Sequence, residues 1–85
     1  MKLIFCKECE DIVRLIPEET RYCQCGKSSG KYTDNLYAWY SGPCIPIGIA
    51  NSSLAEALTN QPESGDGKKF NAFVIPKKCD TFSKI

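Results

Sequence analysis

Four cysteines in the first third of the chain carry the arrangement with the clearest chemical meaning. Cys6 and Cys9 form a C-x-x-C pair, Cys23 and Cys25 a C-x-C pair, and thirteen residues separate the two. Thiolates grouped two and two suit a single tetrahedral ion, and an all-cysteine donor set points to one structural zinc, Zn2+. A shell of four thiolates leaves no open position for a reactive water. The sequence contains no histidine, which removes both a common metal ligand and the commonest general base. No nucleophile elbow or paired-carboxylate pattern compensates, so the expectation is a protein that is not an enzyme.

Other uses of the thiols fit less well. Iron can occupy a four-thiolate site, but such sites normally use two C-x-x-C pairs, and the C-x-C here departs from that. A redox C-x-x-C usually opens a helix whose dipole favours the thiolate. Here acidic residues surround the second thiol in Glu8-Cys9-Glu10-Asp11. A secreted disulfide framework would also explain six cysteines in a short chain. The N-terminal apolar stretch Leu3-Ile4-Phe5 is too short for a secretory signal, however, and charges follow at once. The reading is therefore a cytoplasmic protein with reduced thiols. Cys44 is expected to pack as a small apolar residue and Cys79 to be a tail thiol.

Eighty-five residues allow one domain. A core of that size is marginal alone, and a metal staple is the expected remedy. The formal charge of +1 with neutral thiols becomes −1 when four thiolates bind one dication. No strong overall field draws the protein to nucleic acid or to an anionic membrane. No apolar run approaches the ~20 residues that cross a bilayer, and no small-molecule substrate is indicated.

Short strands must position the cysteines. Leu3–Phe5 enters the first metal knuckle, and the β-branched stretch 12–16 leaves it. After a turn at Pro17-Glu18-Glu19-Thr20, Arg21-Tyr22 reads as the return strand into Cys23-Gln24-Cys25-Gly26. Gly26 is suited to positive φ, which turns backbone amides toward sulfur. Residues 31–33 and 36–40 read as a hairpin joined at Asp34-Asn35. In Cys44-Ile45-Pro46-Ile47-Gly48-Ile49 the three isoleucines alternate onto one side, and the prolines imply an edge or non-sheet path. Ser53 and Glu56 fit a capping box for a helix from Leu54 to about Asn60, with Leu54 and Leu58 as its core stripe. Asn51-Ser52-Ser53 also matches a glycosylation pattern, which helix capping explains in a cytoplasmic protein. Ser64-Gly65-Asp66-Gly67 leads into a strand and lacks phosphate-loop spacing, so it reads as a plain loop. Phe70–Ile75 is the last expected strand.

Two surfaces are candidates for partner binding. Tyr37, Trp39 and Tyr40, followed by the isoleucine segment, form a neutral apolar strip suited to a protein partner where it is exposed. Alternatively, Arg21, Lys27 and Lys31 interleave with Tyr22 and Tyr32, a combination that could meet phosphate and stack on bases of a nucleic acid. Against this, residues 32–67 contain no lysine or arginine, and the expected helix carries Glu56 as its one charge. That helix is therefore unsuited to DNA recognition.

The stretches FCKECEDIVRL and RYCQCGKSSGKY, with SGPCIPIGIANSSLAEAL and FNAFVIPKKC, resemble small uncharacterised zinc-ribbon proteins of bacterial and bacteriophage genomes. The likeness extends over most of the chain, although the knuckles alone are common to many ribbons. It implies an intracellular metal-binding protein, and in a phage genome a domain that binds a host protein. The expected fold is α+β: an N-terminal zinc ribbon of antiparallel strands over residues 1–33, extended over 34–85 by a hairpin, one short helix and a C-terminal strand.

Overall fold

The computed structural model describes residues 1–85. Eight strands and one helix follow in the order β1 (Lys2–Cys6), β2 (Ile12–Arg14), β3 (Arg21–Tyr22), β4 (Ser29–Tyr32), β5 (Ala38–Ser41), β6 (Cys44–Ile49), α1 (Asn51–Thr59), β7 (Ala72–Val74) and β8 (Phe82–Lys84). This is an α+β fold. One sheet has the order β2-β1-β6-β7 and the other β3-β4-β5-β8.

Period-two alternation decides which side of each sheet is core. In β1, Ile4 and Cys6 face inward and lie opposite Pro46 and Cys44 of β6. In β5, Ala38 and Tyr40 face inward. The two buried faces meet in one cluster that includes Ile4, Leu15, Tyr40, Ile75 and Phe82. Phe82 is fully buried, with its ring edge-on to Tyr40 at 4.9 Å between centroids. Residues 1–33 and 34–85 share this core: β6 pairs with β1, and β5 with β4.

Several expectations change. Ile12–Arg14 does not pair with Arg21-Tyr22. Each cysteine pair instead lies at the connecting end of its own hairpin, β1–β2 in one sheet and β3–β4 in the other, with Cys6 the last residue of β1. The hairpin at Asp34 forms, and the Asp34 carboxylate accepts the N–H groups of Leu36 and Tyr37 at 2.8 and 2.7 Å. β6 is interior, not an edge, because Pro46 sits where β7 ends. The Pro46 carbonyl accepts Ile75 N–H at 2.9 Å, and Pro76 then takes the chain away, so no ladder donor is needed from Pro46. The three isoleucines of β6 lie on its outer side, while Cys44, Pro46 and Gly48 face the core.

The helix has no side-chain cap. Ala50 occupies the cap position, and the Ser53 hydroxyl donates to Ala50 O at 3.1 Å and accepts Asn71 N–H at 2.8 Å. Ser53 thus ties the helix to the start of β7 and does not form the capping box. Leu58 is 68% exposed and Leu54 half-buried; Ala57 is the buried residue of the helix. The strand β8 was not expected from the sequence, and it runs parallel to β5. No helix is long and apolar enough to cross a membrane.

Candidate metal centre

The two hairpin connections converge at one end of the core. Local hydrogen bonds shape both in nearly the same way. In the first, Cys6 N–H donates to Asp11 O at 3.0 Å and Glu10 N–H to Cys6 O at 2.8 Å. In the second, Cys23 N–H donates to Ser28 O at 3.0 Å and Gly26 N–H to Cys23 O at 3.0 Å. The residue after the second cysteine of each pair is left-handed: Glu10 at φ 61° and Gly26 at φ 79°. Glycine adopts this conformation freely, whereas glutamate does so at a cost. Gln24 N–H donates to the Asp11 carboxylate at 2.9 Å and joins one knuckle to the other.

The sulfurs of Cys6, Cys9, Cys23 and Cys25 all lie within 4.8 Å of one another. Cys25 Sγ is 3.5 Å from Cys23 Sγ and 3.8 Å from Cys6 Sγ. A tetrahedral ion with metal–sulfur bonds of about 2.3 Å places its ligands about 3.8 Å apart. The donor set therefore fits a metal ion. Cys6 and Cys23 are buried, Cys9 is half-buried and Cys25 exposed, so the centre sits at the rim of the core.

Thiol acidity supports the same reading. The Ser28 hydroxyl beside Cys6 and the Cys9 N–H stabilise the Cys6 thiolate and bring its pKa down to about 6, against the effect of burial. For Cys25 the Lys27 N–H favours the thiolate, but burial and the neighbouring thiols outweigh it and push the pKa up to about 12. One thiol ionises easily and another resists, as expected for a crowded group without a cation. Ser28 is itself fully buried. Its N–H donates to Cys23 Sγ at 3.3 Å, while its hydroxyl has no partner of good geometry. A buried orphan hydroxyl beside the Cys6 sulfur suits a charged sulfur better than a neutral core. Gly42, at φ 100°, permits this: the backbone of Lys27 and Ser28 lies where a Cβ would project.

Cys44 and Cys79 lie outside the cluster, and no cysteine is in a disulfide. Cys44 is buried core, and burial pushes its thiol up. Cys79 is half-buried, its sulfur 3.5 Å from the Thr81 hydroxyl.

The aromatic strip separates. Tyr37 is 48% exposed, and Trp39 is half-buried on the outer face of its sheet beside Lys31 and Ser83. Tyr40 is only 3% exposed, which corrects its place among the surface candidates: it belongs to the core. The basic set also separates. Arg21 donates to Arg14 O at 3.2 Å, Lys27 faces Glu8 at 3.6 Å, and the Tyr32 hydroxyl accepts Lys2 N–H at 3.0 Å. Tyr22 remains exposed on β3.

A second apolar surface emerges on the outer face of the first sheet. Leu3, Ile47 and Val74 form one row across three strands, and Ile12, Phe5 and Ile45 another. Ile12, Ile45 and Val74 are 56%, 37% and 70% exposed. The isoleucine alternation signalled this face, but which side was core depended on the pairing with β1. Compared with known proteins, the chain matches no family model, no curated protein and no solved structure.

Proposed function

We propose that Cys6, Cys9, Cys23 and Cys25 hold one structural zinc ion, and that the protein is a cytoplasmic, non-enzymatic interaction module of zinc-ribbon type. The observation that carries the metal reading is the convergence of four sulfurs from two similarly built connections. When bound, the ion supplies a cross-link between the two sheets. Its residues do the rest: the Ser28 N–H steadies the Cys23 sulfur, and the left-handed turns at Glu10 and Gly26 bring the chain back around the site.

The interaction reading rests on the outer face of the first sheet, where an apolar patch lies open with Arg14 as the one charged member of its rows. Such patches mark contact surfaces for other proteins. Trp39 and Tyr37 offer a smaller aromatic surface on the other sheet. A nucleic-acid role for Arg21, Tyr22, Lys27, Lys31 and Tyr32 is the weaker reading, because Lys27 and Tyr32 already have partners within the chain.

Elemental mass spectrometry of the purified protein tests the metal: one zinc per chain is expected, and iron or none overturns that assignment. Tagged affinity purification from the native cell, with nuclease treatment, tests the partner. A nuclease-resistant protein partner lost in the Ile12→Glu variant supports the module. Recovery that depends on nucleic acid refutes it.

A further inference from the structure

The first sheet ends at β7 and the second at β8, and between these two edges lies a cleft of about 570 Å³. Ile45 and Val74 contribute open apolar surface over the buried Tyr40, Pro46 and Ile75, and Lys7, Lys77 and Lys84 surround it with positive charge. Lys84 lies opposite Tyr40 in the β5–β8 pair and so extends to the same side of the sheet. The lining contains no carboxylate. None of the three lysines is ion-paired; the ion pair of the molecule is Lys27–Glu8.

The edge beside the cleft is open. Asn71 O and Ile75 N–H bond toward β6 and its end, so by alternation the N–H and C=O groups of Ala72 and Val74 point away from the sheet. Lys68-Lys69 precede this strand and Lys77-Lys78 follow it, with no acidic residue from 67 to 79. Edge lysines commonly guard against self-pairing. Here an antiparallel second copy would set one lysine pair against the other. An acidic strand meets the opposite field.

We propose that this cleft docks an extended acidic segment of a partner protein, which adds to the β7 edge and sets its carboxylates against Lys7, Lys77 and Lys84. Backbone pairing supplies the fit and the lysines supply selectivity. A nucleic acid is a poorer occupant: Tyr40, the aromatic residue of the cleft, is buried and cannot receive a stacked base. The proposal relies on the interaction-module reading only in taking the ligand to be a polypeptide, and its site borders the isoleucine face, sharing Ile45 and Val74 with it while Leu3, Phe5, Ile12 and Ile47 lie outside the cleft.

The test titrates metal-loaded, isotope-labelled protein with a short peptide of alternating valine and glutamate, followed by amide chemical shifts. Expected are shifts at Ala72, Val74 and Lys84 that weaken as salt rises. The Lys77→Glu/Lys84→Glu variant should bind on the order of tenfold more weakly, since each exposed pair lost is replaced by a repulsion. Ile12→Glu, on the far edge strand β2, should bind the peptide normally. Both variants change exposed residues, and the dispersion of the free spectra verifies their folding. No binding, shifts confined to the isoleucine face, equal binding of a valine–lysine peptide, or tighter binding of oligothymidine in the cleft each overturns the proposal. A native partner captured regardless of the lysine reversal but lost with Ile12→Glu refutes the cleft and leaves the module intact. Peptide binding in the cleft without any native protein partner does the reverse.

Discussion

Removing the metal is expected to unfold this protein, not merely loosen one end. The cysteine pairs belong to hairpins of different sheets, so an ion bound by all four would join β1–β2 to β3–β4. Few other links cross at that end: Gln24 N–H to Asp11, Arg21 to Arg14 O, and the Lys27–Glu8 pair, while Tyr32 joins the two hairpins farther away through its N–H to Ile16 O and its hydroxyl to Lys2 N–H. Exposed contacts of this kind contribute about 0–1 kcal/mol each. A structural zinc site contributes roughly 10–16 kcal/mol in small peptides near neutral pH. That matches or exceeds the ~5–15 kcal/mol by which whole domains are stable. Without the ion, Cys6 and Cys23 also leave buried thiols at the end of a core that is otherwise small. The assay is near-ultraviolet circular dichroism of Trp39 and Tyr40 in reducing buffer, with and without a strong chelator, and with urea titration of each form. The expected outcome is loss of the aromatic signal and of the cooperative transition on chelation, both restored by zinc. A chelated protein that keeps its signal and its urea midpoint would falsify the staple argument. Cys44→Ser and Cys79→Ser serve as controls: both should bind one ion, and loss of metal from either would show that the ligand set is misassigned.

Three further outcomes follow from the same geometry. Glu10→Gly should stabilise the metal-loaded protein by about 0.5–1 kcal/mol in urea unfolding, since glutamate at φ 61° costs about 1–2 kcal/mol and glycine returns part of that gain as chain entropy; a destabilised variant would mean that the glutamate side chain has a role in the turn. Phe82→Ala should cost about 3–5 kcal/mol, because the ring is fully buried against Tyr40, and an unchanged midpoint would show that β8 is not part of the cooperative unit. Metal affinity should rise with pH, since ligation needs thiolates. Cys25, held up at about 12, must release a proton at any ordinary pH, which gives at least a tenfold gain per unit; Cys6, brought down to about 6, is already ionised above that value and adds its own proton only below it, so the slope should steepen below about pH 6. Competition with a chromophoric chelator across pH measures this, and an affinity flat from pH 6 to 8 would contradict it.

The sequence was informative where a residue's role depends on its near neighbours, and misleading where the role depends on a partner strand. The cysteine spacing anticipated which four sulfurs converge, and Asp34 formed its turn, because both depend on a few adjacent residues. Glu10 escaped notice because the left-handed turn it makes usually advertises itself as glycine, as at Gly26. Pairing is a different matter. Ile12–Arg14 and Arg21-Tyr22 are adjacent in sequence, and local reasoning joins them. β6 instead brings Cys44 opposite Cys6, and that long-range pairing sets the side on which every residue of the strand falls. It turns the isoleucines outward and lets proline and glycine line the core. The same step explains Phe82, whose burial requires a parallel partner 44 residues earlier, Ala38, and which nothing in Asp80-Thr81-Phe82-Ser83 announces. The consequence reaches function. With Tyr40 withdrawn into the core and the isoleucines turned out, the open apolar surface belongs to the sheet carrying Cys6 and Cys9. An ion at the four cysteines would hold that sheet against its neighbour, so loss of metal should abolish partner capture even though none of those cysteines lies on the patch. Capture that survives chelation would separate the patch from the staple and refute this coupling.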